Sequence, residues 1–95
     1  MIKPTIGRVV WFWPSNAPSE GESMVCHDAE QPMSAQVIFV WSDCCVNLYV
    51  IDHAGVGRAL TSVALVQANE PKPEDGRYCE WMPYQMGQAK KEAST

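Results

Sequence analysis

A chain of 95 residues with net charge −4 predicts one domain, with no room for a second. A hydrophobic share of 46% supplies a core, and a charged share of 19% excludes a disordered chain. The seven cations (Lys3, Arg8, Arg58, Lys72, Arg77, Lys90 and Lys91) are scattered, which excludes general nucleic-acid binding through a basic stripe.

The opening Met1-Ile2-Lys3-Pro4 leads into a short apolar run broken by Gly7 and Arg8, which is not a signal-peptide pattern. No apolar stretch approaches the roughly 20 residues that span a bilayer, so no membrane partner is expected. Residues 6–13 form the first predicted strand, with Val9, Trp11 and Trp13 on one face and Val10 and Phe12 on the other. Both faces are expected to be largely covered, and Pro14 ends the strand. Residues 15–34 turn to Ser, Asn, Pro, Gly and Glu and read as a long loop insertion.

Residues 36–41 form the second predicted strand and Cys45–Ile51 the third, with Val46, Leu48 and Val50 alternating against Asn47, Tyr49 and Ile51. The short Ser42-Asp43 connector makes them an antiparallel hairpin. Asp52-His53-Ala54-Gly55 supplies a turn, and Gly57 adds a second permissive position. Residues 58–66 form the fourth strand, 69–76 a loop with two prolines, and 77–82 the fifth strand, interrupted by Pro83. The remaining 86–95 suit a short helix or a tail. The expected fold is therefore all-β: a small five-stranded antiparallel barrel, SH3-like by strand count, with an OB-like barrel as second choice.

Four cysteines, Cys26, Cys44, Cys45 and Cys79, are present without a secretory signal and read as reduced thiols. With His27 and His53 they offer zinc-ligand types but not zinc spacings, so no metal and no cofactor is expected. Nothing in the order of Cys, His and Asp residues singles out a catalytic triad, and no Gly-rich phosphate loop exists. The chain reads as a non-enzyme. Its aromatic load is heavy: Trp11, Trp13, Trp41, Trp81 and Tyr84 can pack a barrel and still leave flat faces at a rim. The segment Glu80-Trp81-Met82-Pro83-Tyr84-Gln85 is either a contact patch or the plug of a barrel end.

The opening Lys3-Pro4-Thr5-Ile6-Gly7-Arg8-Val9-Val10-Trp11, the middle pieces Val46-Asn47-Leu48 and Thr61-Ser62-Val63, and the closing Cys79-Glu80-Trp81-Met82-Pro83-Tyr84-Gln85 resemble a family of small uncharacterised proteins of tailed bacteriophages. The resemblance covers most of the chain outside 15–34 and transfers no catalytic or binding residue. It implies an accessory protein in the cytoplasm of an infected bacterial host. With the excess of aromatics, it leads to the expectation of a binder that captures a nucleotide-type defence signal. Trp11, Trp13, Trp81 and Tyr84 are expected to stack on the base, and Arg8 and Arg77 to hold phosphate. The site is expected to be shared in a homo-oligomer. The alternatives are a module that binds a host or phage protein and a minor virion or assembly component.

Overall fold

The alternation of β-branched and aromatic residues with small or polar ones yields five strands: β1 (Val9–Trp13), β2 (Met33–Ser42), β3 (Cys45–Ile51), β4 (Gly57–Val66) and β5 (Tyr78–Glu80). The structure, a computed structural model, describes residues 2–14, 24–68, 70–74 and 77–85. Residues 15–23 of the expected loop and the 86–95 tail lie outside the described residues. Residues 83–85 form one helical turn.

The strands close into a barrel in the order β1-β2-β3-β4-β5. A meander of this kind is SH3-like and sets aside the OB-like alternative, which needs a Greek key. The antiparallel expectation holds at four seams. At the fifth, β4 and β5 run parallel, with Ala64 beside Tyr78 and Val66 beside Glu80. Parity requires this: five strands in a closed ring cannot alternate direction all the way round. Because β5 is antiparallel to β1, it must be parallel to β4, and the chain after Val66 returns to the level of Ala64 before β5 begins.

The inward residues fill the barrel. Val10 and Phe12 come from β1, Met33, Ala35 and Val37 from β2, Val46, Leu48 and Val50 from β3, and Leu60, Val63 and Leu65 from β4. Cys79 joins them from β5, and burial pushes its thiol up to about 12. The four cysteines are free thiols in the structure.

Boundaries shift where a turn or a plug intervenes. β1 begins at Val9 rather than at 6, because Gly7, at φ 98°, turns the chain and the Arg8 N–H donates to the Thr5 carbonyl. β2 begins at Met33 rather than at 36, since Met33 is core and pairs with Phe12. β5 ends at Glu80, the last residue paired with β1 and β4; Trp81 keeps the inward face of Cys79 and is 1% exposed. The outer face of β1 is only partly covered: Trp11 and Trp13 are half-buried and Val9 is exposed. At Gly57 the Tyr49 ring lies over the backbone, within 2.5 Å of where a Cβ would stand.

One carboxamide closes the end of the barrel where β4 and β5 finish. Gln67 Oε1 accepts from the Trp81 indole N–H at 3.1 Å and from the Ile2 N–H at 3.2 Å. Its Nε2 donates to the carbonyls of Ile2 at 2.9 Å and Asp43 at 2.8 Å. The N-terminal segment, the β2–β3 turn, the end of β4 and the Trp81 plug thus meet on one side chain that is 4% exposed. Replacing it by leucine leaves the Trp81 N–H and two carbonyls without partners in a closed space. Gln67→Leu is expected to lower the free energy of unfolding by about 2–4 kcal/mol, read from urea denaturation.

Candidate functional site

Strict alternation along β2 would turn Phe39 and Trp41 inward with Met33, Ala35 and Val37. They face outward instead, because β2 carries two register shifts against β3. Val37 pairs with Leu48 and Phe39 with Asn47, so Ile38 is an extra residue; Val40 pairs with Val46 and Ser42 with Cys45, so Trp41 is a second. A bulge of this kind reverses which side chains face the core and re-aims those beyond it. Val40 now packs against the core, and Ile38, Phe39 and Trp41 are exposed.

Exposure here does not mean freedom. The Phe39 and Trp41 rings meet edge to face with centroids 4.8 Å apart. The Trp41 indole N–H donates to Asn47 Oδ1 on β3 at 2.8 Å, and the same oxygen accepts the Ser62 N–H of β4 at 2.8 Å. Opposite Asn47, β4 carries its own bulge at Thr61 and Ser62. Ser62, at φ 53°, is the one non-glycine with positive φ among the described residues. On the far side of that bulge, Arg77 Nη2 donates to the Thr61 carbonyl at 2.9 Å. Asn47 of β3 and Arg77, just before β5, thus clamp a strained β4 backbone from either side, and the clamp on the β3 side fixes Trp41 while leaving it 61% exposed. Neither β2 nor β3 contains a charged residue. The result is an uncharged aromatic ledge on a rigid sheet.

Of the residues expected to form a base-and-phosphate site, Trp81 is enclosed and Arg77 is bonded to β4, while Trp11, Trp13, Arg8 and Tyr84 lie along β1 or beside its start. Trp81 is corrected outright: its ring is a core plug and its N–H is taken by Gln67, so it offers no face to a ligand. Trp13 is half-buried, with its indole N–H donating to Glu80 Oε2, whose other oxygen meets Lys72 Nζ at 3.2 Å. Arg77 serves the β4 bulge. Arg8 is exposed at the start of β1. Tyr84, 77% exposed, lies at the same end of β1, because the neighbouring Gln85 Nε2 donates to the Val9 carbonyl at 2.9 Å. Trp11 lies on the outer face of β1 beside Glu80. The closing motif is therefore divided: Trp81 is the plug and Tyr84 a surface residue.

At the opposite rim, Asp52 ties residues 24–32 to the β3–β4 turn. Its Oδ2 accepts the Val25 N–H at 3.1 Å, and its Oδ1 accepts the N–H groups of Ala54 and Val56 at 2.9 Å each. Among the described residues, no three His, Cys, Asp or Glu side chains converge as metal ligands, and no helix is long and apolar enough to cross a membrane. Comparison with known proteins finds no matching family model, no matching curated protein and no matching solved structure.

Hydrogen bonds from Val25 first, then from Val56, Ala54 and Gly55, hold the Asp52 carboxyl below its ordinary value of 3.8 against the opposing effect of burial. A depressed carboxyl stabilises the fold above its unfolded pKa, and that contribution disappears as pH falls through the folded value. Asp28 adds to the same window, its carboxyl lowered by the Glu30 N–H and the Gln31 side chain. Asp52→Ala is expected to have a lower Tm than the wild type at pH 7. The gap should narrow as pH falls below about 4, followed by circular dichroism melts.

Proposed function

We propose that the chain is a non-catalytic binding module that engages a protein partner through the Phe39–Trp41 ledge. The observation that carries this reading is the Trp41 indole, exposed yet held by Asn47 and by the edge of Phe39. Tryptophan is the residue most enriched at the energetic centre of protein interfaces. A ring already fixed in its bound orientation forfeits little rotamer freedom on association, so more of its burial appears as affinity. The uncharged β2–β3 surface suits an apolar partner face, since no ion has to be stripped of water when the ledge is covered.

A nucleotide-type ligand has less support. Such a site needs a flat ring and a cation converging on one place, whereas Trp81 is enclosed and Arg77 lies along β4. The bacteriophage resemblance supplies the setting for the partner: a protein of the infected bacterial cytoplasm, or of the virus itself.

The test is affinity capture from host lysate with the wild type and with Trp41→Ala. The variant is expected to keep its unfolding free energy within about 1 kcal/mol, because the residue lies on the surface. It should lose a protein that the wild type retains. Equal capture by both chains would remove the ledge from the function. A stoichiometric nucleotide adduct in native mass spectrometry, with no protein captured, would restore the small-molecule reading.

A further inference from the structure

The turn between β3 and β4 presents His53 to the segment that leads into β2, and three contacts on this histidine are specific to its atoms. Its backbone N–H donates to the Val25 carbonyl at 3.0 Å. Its ring Nδ1 lies 2.9 Å from the backbone N of His27, and its Nε2 lies 3.2 Å from the Pro32 carbonyl oxygen. A backbone N–H can only donate, so Nδ1 must be the bare nitrogen of a neutral ring. A carbonyl can only accept, so Nε2 must carry the proton. The two demands agree on a single tautomer, and the ring bridges residue 27 to residue 32. Val25 is held separately by the Asp52 carboxylate.

The groups around this ring are mostly sensitive to its charge. The His27 imidazole lies against it with centroids 6.0 Å apart and planes 22° from parallel. The Asp28 carboxylate, on the same segment, is close enough to feel a charge on His53. Asp52 precedes it in the chain, but its oxygens are turned to the amides of Val25, Ala54 and Val56. Cys26 adds an exposed thiol on the segment.

We infer that His53 is a pH-operated latch: its neutral ring holds the 25–32 segment against the β3–β4 turn, and its protonation frees the segment at residue 27. Adding a proton to Nδ1 places two donors, Nδ1–H and the His27 N–H, face to face, and the contact becomes repulsive. If His27 is charged as well, two like charges lie 6.0 Å apart. Asp28, on the same segment, favours the charged ring, so the segment stays near the turn while its residue 27 contact breaks. Nε2–H still serves the Pro32 carbonyl, and the Asp52–Val25 bond does not involve the ring. The segment therefore opens between two anchors rather than detaching, which exposes the residue 27 amide.

The test is NMR on the full ¹⁵N-labelled chain. Long-range ¹H–¹⁵N spectra at pH 8 should show His53 with a bare Nδ1 and a protonated Nε2. On acidification, the residue 27 amide shift should move with the His53 ring signal. Its hydrogen-exchange protection, corrected for intrinsic pH dependence, should fall roughly three- to tenfold while that of Val56 holds. His27→Gln keeps the backbone N–H and should keep the step; His53→Gln should abolish it. A protonated Nδ1 at pH 8 in the wild type would overturn the latch. So would a residue 27 amide that ignores the ring's titration, or an unchanged step in His53→Gln.

Discussion

The closure of this barrel depends on a single carboxamide. Gln67 presents two acceptor positions and two donor hydrogens, and all four are matched by groups from distant parts of the chain. An apolar side chain in its place could fill the volume but could not satisfy the Trp81 indole or the carbonyls of Ile2 and Asp43. A fully satisfied polar cluster inside a core specifies one arrangement, because every alternative leaves a partner stranded. The large ring of Trp81 can occupy the barrel end only because its N–H is met there. The same bonds anchor the segment that leads into β1.

With that end closed, the other special features are departures from regular pairing. Two extra residues in β2 reverse its inside–outside pattern, and one in β4 places Ser62 in a left-handed conformation opposite Asn47. These irregularities converge on the part of the sheet where Phe39 and Trp41 are presented and braced. Elsewhere β2 and β3 follow the alternation that their sequences dictate, with the inward positions fully buried. A regular barrel would have hidden Phe39 and Trp41. The bulges bring them to the surface, and the Asn47 bridge keeps them ordered there.

Much of the fold was legible in the sequence. The third strand was read with its observed limits because Val46, Leu48 and Val50 alternate without interruption between two turns. The number of strands and the all-β class followed from the turn residues between apolar runs. The ledge was not legible: Val37, Phe39 and Trp41 sit at even spacing, and a bulge leaves no mark in an alternating pattern. The parallel β4–β5 seam follows from closure, which is a property of the whole ring and not of any segment. The role of Trp81 was ambiguous for another reason, since plugs and contact patches draw on the same large side chains. Only the distant Gln67 distinguishes them. His53 carried no spacing signal, because its partners are two backbone groups.

The seam between β1 and β5 also bears on synthesis. β1 leaves the ribosome before the other four strands, yet the strand that covers its second edge ends at Glu80. β2, β3 and β4 can pair in the order they emerge, each with the strand before it. During that interval β1 presents an unpaired edge flanked by Val10 and Phe12, core residues with no finished core around them. The growing chain is thus most prone to associate with itself, or to engage a chaperone, in the stretch of translation between the completion of β4 and the arrival of Glu80.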